Sequence, residues 1–94
     1  MRSRRTSIEI IADILEVVSS GSGSKSSIMK NANLSEGLTE KYLSILKDKG
    51  LIKQKDSSFV LTEKGQQILS NFREIRKLEL RLDELLNSTL NELS

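Results

Sequence analysis

The side chains here that can carry chemistry are amines, guanidinium groups, carboxylates and hydroxyls. The 94 residues include neither Cys nor His, which excludes a thiol nucleophile, an imidazole base, a zinc finger and a disulfide framework. A carboxylate pair or a Ser–Lys couple could still act, but each needs a preformed cleft, and a small core rarely leaves room for one. The expectation is a protein that is not an enzyme and holds no cofactor or metal. What these residue types can still do is bind a polyanion. Arg2, Arg4 and Arg5 form a basic arm suited to phosphates or a minor groove. Lys25, Ser26 and Ser27 open a helix, where unpaired backbone N–H groups and the dipole can hold a phosphate. Lys53, Lys55, Ser57 and Ser58 lie on a hairpin that could touch a nucleic-acid backbone. A solvated terminus, an ordinary N-cap and a lysine-guarded strand edge would use the same residues.

The net charge of +2 conceals an asymmetry. Residues 1–62 carry ten basic and seven acidic side chains, whereas residues 63–94 carry five and six. The first part is therefore the candidate for the anionic partner. At 36% hydrophobic, with only Tyr42, Phe59 and Phe72 aromatic, the chain buries little surface alone, and domains of this size often gain stability by oligomerising. No apolar run approaches the ~18 residues of a membrane span, and Glu9 and Asp13 interrupt any signal-like segment. The expected setting is the cytoplasm, with no membrane partner and no evident small-molecule substrate.

These groups must be positioned by local elements. Ile8, Ile11, Ala12, Leu15 and Val18 recur at helical spacing, and Thr6 with Glu9 forms a capping box, predicting a first helix over 7–19. The Ser/Gly run 19–24 reads as a flexible loop. A short second helix follows over about 26–31. Ser35 then caps a third, which ends at Lys49-Gly50 and turns Leu38, Tyr42, Leu43 and Leu46 inward. Leu51 to Leu61 alternates around Asp56-Ser57-Ser58, a small hairpin. Thr62 caps a final helix that meets no proline before Ser94, a length of ~45 Å.

That last helix is too long to pack fully on a domain of this size. Ile68, Phe72, Ile75, Leu78, Leu82, Leu85, Leu86 and Leu93 step mostly by three and four, and Thr89 continues the stripe, which predicts a two-stranded coiled coil with a second copy. Arg73, Arg76, Lys77 and Arg81 precede Asp83, Glu84 and Glu92, so antiparallel pairing sets basic against acidic. If Leu78 faces the partner's Leu82, the same register sets Ile75 against the partner's Leu85, with the two-fold near Leu80. Leu80 itself lies off the stripe.

The order helix, helix, helix, hairpin, helix is a winged helix-turn-helix, whose third helix enters a major groove. The fold class is thus mainly α with a small β-hairpin and a long C-terminal dimerisation helix. Residues 1–62 form the basic arm and winged unit, and residues 63–94 the coiled-coil helix, within one continuous structure. On the third helix, Gly37, Glu40, Lys41 and Ser44 turn outward and join Ser35 and Glu36 at its start as groove candidates. Outside this fold the same residues would be an ordinary solvated face. Tyr42 reads as core rather than as a stacking platform.

Ile28-Met29 before Ala32-Asn33-Leu34-Ser35, then Lys41-Tyr42-Leu43, Lys49-Gly50-Leu51-Ile52 and Leu61-Thr62-Glu63-Lys64-Gly65, resemble the archaeal winged-helix proteins of the small Sulfolobus chromatin class, similar in size to this 10.6 kDa chain. The likeness spans nearly the whole sequence. It implies a homodimeric protein of the nucleoid that binds double-stranded DNA, joined by an antiparallel coil of C-terminal helices and serving transcription regulation or chromatin architecture. Two features depart from that pattern: the Ser/Gly loop implies a mobile edge to the DNA surface, and the acidic Glu36 and Glu40 favour base reading over tight nonspecific coating, since Glu can accept from cytosine N4. The alternative is a winged-helix module that binds another protein chain and not DNA.

Overall fold

A computed structural model describes residues 5–94; Arg2 and Arg4 of the expected arm lie outside the described residues. Six elements follow one another: α1 Ser7–Ser19, α2 Lys25–Asn31, α3 Glu36–Asp48, β1 Ile52–Lys55, β2 Ser58–Leu61 and α4 Glu63–Leu93. Each helix begins where a hydroxyl can take an orphan N–H. In the capping box of α1, the Glu9 N–H donates to Thr6 Oγ1 at 3.1 Å and the Thr6 N–H donates to Glu9 Oε1 at 2.7 Å. Ser24, Ser35 and Thr62 accept from the backbone of Ser27, Leu38 and Gly65. Gly50 ends α3 with φ +74°.

The core is a layer of Ile10, Ile14, Leu15 and Val18 from α1 against Ile28 of α2, Tyr42, Leu43 and Leu46 of α3, Leu51 just before the wing, Ile52 at the start of β1, and Leu69 of α4. The buried arc of α1 is rotated from the expected stripe. Ile10 and Ile14 are buried, whereas Ile8 is 63% exposed and Ile11 and Ala12 are half-buried. Consecutive apolar residues at 10–11 and 14–15 create two overlapping helical stripes. Packing against α2, β2 and α4 together selects the one through Ile10 and Ile14. On α3, Leu38 is 40% exposed rather than inward, and the first inward position belongs to Thr39, which is fully buried. Its Oγ1 donates to the Ser35 carbonyl at 2.8 Å, so burial leaves no polar group unmet.

The Ser/Gly loop is anchored rather than free. The Phe59 N–H donates to the Gly23 carbonyl at 2.8 Å, and a Cβ on Gly23 would stand 2.1 Å from the Phe59 oxygen. A backbone approach this close requires glycine there. The wing pairs antiparallel, Ile52 with Leu61 and Lys55 with Ser58, so Ser58 belongs to β2 and the turn is Asp56-Ser57, with Asp56 at φ +57°.

Helix α4 docks only its first third. Gly65 and Leu69 are buried, and Ile68 and Phe72 are half-buried against the core of their own chain, so both are at least partly intramolecular residues. Arg73 grips Glu16 through two 2.8 Å bonds, and this hydrogen-bonded charge holds the Glu16 carboxyl below its usual range. Arg73 thus serves its own chain before any second copy. From Arg73 to the end every residue is exposed. The Cα radius of gyration is 16.2 Å, against roughly 12 Å for a compact chain of this length.

Candidate nucleic-acid interface

Helices α2 and α3 meet through a tight turn in which Asn33 adopts φ +56° and the Leu34 N–H donates to the Met29 carbonyl at 2.9 Å. Arg5 holds that turn to α1, donating to the Asn33 carbonyl at 2.9 Å and to Asp13 Oδ2 at 2.7 Å. Its guanidinium, expected in the basic arm, is therefore engaged in the helix-turn-helix scaffold of its own chain. Fixing the turn fixes how α3 leaves the body of the protein.

With Thr39, Tyr42, Leu43 and Leu46 inward, α3 presents Gly37, Glu40, Lys41 and Ser44 to solvent, and Ser35 and Glu36 are exposed at its start. The expected groove face is brought together. The inward packing also adds residues that the sequence reading passed over. Leu38, three residues before Lys41, puts an apolar side chain on the exposed side of the helix. Lys47 and Asp48 join Lys25, Glu40, Ser44 and Phe59 around a shallow cleft of about 310 Å³ between α3 and the wing. The i, i+3, i+4, i+7 pattern at Thr39, Tyr42, Leu43 and Leu46 could have revealed this orientation, had a threonine been allowed into the core.

Lys25 is committed within the chain. Its Nζ sits 2.5 Å from Glu40 Oε2 and 3.2 Å from Glu36 Oε2, and these two carboxylates, Glu40 first, raise its pKa above the usual lysine value. The lysine screens both acids on the very face that would meet phosphates. The cap of α2 is Ser24 rather than Ser26 or Ser27, and the Ser27 N–H is already bonded to it, leaving Ser26 exposed and Ser27 half-buried. Three serines within four residues, all with similar capping power, cannot be ranked by type alone. On the wing, Lys53, Lys55 and Ser57 are exposed and Ser58 is half-buried. Tyr42 is buried, its hydroxyl donating to Ser7 Oγ at 3.0 Å while Lys41 Nζ lies 5.7 Å from its ring centre. Among the described residues, no helix is long and apolar enough to cross a membrane.

Comparison with known proteins agrees with this architecture. The chain is 35% identical over 74 residues to an uncharacterized protein of Methanocaldococcus jannaschii, covering 79% of this chain and 76% of that one. It superposes with a TM-score of 0.76 on the crystal structure of Sso10a-2, a DNA-binding protein from Sulfolobus solfataricus, covering 96% of this chain and 98% of the other. At 23% identity, that second likeness speaks for the fold. The winged helix-turn-helix family model matches residues 4–80, from the Arg5 clamp through the wing and into the free part of α4, and the chain belongs to that family.

Proposed function

We propose that this chain is a homodimeric protein that binds double-stranded DNA, as a transcription regulator or an architectural chromatin protein, with no catalytic step. The observation that carries the reading is the α3 face: a capped helix held by the Asn33 turn, its residues Gly37, Glu40, Lys41 and Ser44 outward, packed on the strand β1 that carries the exposed Lys53 and Lys55. That placement suits a helix in a major groove with a hairpin against adjacent backbone. The DNA-binding character of Sso10a-2 supports it. Residues 1–62, with Arg2 and Arg4 of the basic arm, would supply the DNA surface and α4 the spacing between two copies. Arg76, Lys77 and Arg81 against Asp83, Glu84 and Glu92 still favour an antiparallel pair, although Glu74 and Glu79 dilute the contrast.

Neutralising about six phosphates per dimer gives an expected log–log salt slope near −5. Titrating random and selected duplexes at two salt concentrations checks it. Binding that does not weaken with salt would overturn the reading, and equal affinity for both duplexes would assign the architectural role.

The Lys25 cluster makes a sharper expectation. In Glu36→Gln/Glu40→Gln, two acidic charges leave each DNA face and Lys25 is released. Random duplex should then bind several-fold more tightly, with a salt slope steeper by about 0.9 for each added phosphate contact. If Glu40 accepts from a cytosine, the selected site should instead weaken by about 1–3 kcal/mol. Unchanged affinity for both duplexes would remove this face from the interface.

The same two acids favour a second reading, in which α3 or the coil meets another protein. A monomer that fails to shift duplex DNA supports it, whereas a homodimer that shifts DNA supports the first.

A further inference from the structure

We infer that the groove between α1 and α4 is the seat of a second copy of this chain, whose Leu86 enters it against Ile8. The inference rests on the antiparallel-coil reading and extends it from two helices to three. The groove has a volume of about 360 Å³; Ile8, Ala12, Phe72 and Ile75 form its apolar part, and Arg5, Glu9, Asp13, Arg76 and Glu79 also line it. Ile8 is 63% exposed on an otherwise well-packed helix, and Ile75 is 49% exposed.

The occupant follows from helix geometry. In the register that sets Ile75 against the partner's Leu85, Phe72 and Glu79 lie on the same flank of α4 as Leu86 and Leu93, at seven-residue steps. Antiparallel pairing brings that flank against its own counterpart, so the partner's Leu86 arrives beside Phe72, where α1 forms the opposite wall. The groove is continuous with the seam through Ile75. Residues 85–91 carry no charge in a chain that is 30% charged, so the entering turn sets no further charge against Ile8 and Phe72, and the charged lining residues keep to the solvent side. Arg76, which joins none of the ion pairs among the described residues, stands level with the partner's Glu84. The exposure of Leu86, 52% in the single chain, is thereby explained along with that of Ile8. Seating α1 on the partner would also hold each winged unit rigidly to the coil.

Because the chain has no cysteine, introduced pairs report contacts directly. Ile8→Cys/Leu86→Cys should form a covalent dimer on mild oxidation, as should Ile75→Cys/Leu85→Cys, which tests the coil alone. Leu86 lies ~16 Å along α4 from Ile75, too far for an intrachain bond across the groove. Cross-linking of both pairs supports the proposal. Cross-linking of the second pair only overturns the groove and leaves the coil standing. Cross-linking of neither overturns both. Ile8→Asp should weaken dimerisation at least tenfold by sedimentation equilibrium, with the melting of the diluted monomer unchanged because the residue faces solvent there. An unaltered dissociation constant would also overturn the groove.

Discussion

Gly65→Ala is expected to destabilise the protein by about 2–3 kcal/mol, although the same change elsewhere in a helix interior gains up to about 1 kcal/mol. A Cβ at Gly65 would stand 2.0 Å from the Leu51 carbonyl oxygen and 3.0 Å from its carbon. Both obstacles are backbone, and the Leu51 carbonyl is held in place by accepting from the Thr62 N–H at 3.1 Å. No rotamer can relieve the overlap, so α4 must lift off the loop that enters the wing. Leu69, 1% exposed, and the half-buried Phe72 would be drawn out with it. For a domain of this size the loss corresponds to a melting temperature lower by roughly 10 °C. Gly37→Ala is the internal control: nothing lies within 4 Å of its Cβ position, so that variant should melt at or slightly above the parent temperature. Equal melting temperatures for the two variants would contradict the close packing of α4 on Leu51.

That contact shows which features are legible in the sequence and which are not. The limits of α1, the caps Thr6, Ser35 and Thr62, and the glycine stop at Gly50 depend on neighbours within a turn, and residue type alone reveals them. The glycines at 23 and 65 are also local in sequence, but what makes them necessary is a backbone oxygen from 36 residues ahead in the first case and from 14 behind in the second. The face of α1 is not fixed locally because Ile8 and Ile10 both belong to plausible stripes, and only packing against α2, β2 and α4 together decides between them. The candidate site behaves alike. Its outward residues follow from helical period once the inward ones are known. Its electrostatics do not: Lys25 meets acids 11 and 15 positions away, and Arg5 meets a carbonyl 28 away. Basic residues that seemed available to a polyanion are in part the fold's own clamps.

Leu82→Lys should convert the proposed dimer to a monomer without unfolding the winged unit. Leu82 is 57% exposed in the single chain and stands beyond Phe72, the last half-buried residue of α4, so its replacement removes nothing from the core. In the antiparallel register it faces the partner's Leu78, and each dimer contains that layer twice. Two buried leucines would be lost and two ammonium groups brought into an apolar seam, a cost on the order of 3–5 kcal/mol. The dissociation constant should rise by about 10³, enough to show as a monomer in sedimentation at micromolar chain concentrations. Loss of the second winged unit also removes its effective concentration on the same duplex, so DNA affinity should fall by about 10² or more while the salt slope is roughly halved. Leu80→Lys separates seam from surface, since Leu80, equally exposed at 58%, lies off the stripe and should leave both assembly and DNA binding unchanged. A Leu82→Lys protein that remains dimeric, or a Leu80→Lys protein that dissociates, would place the interface on a different face of α4 and require the register to be redrawn.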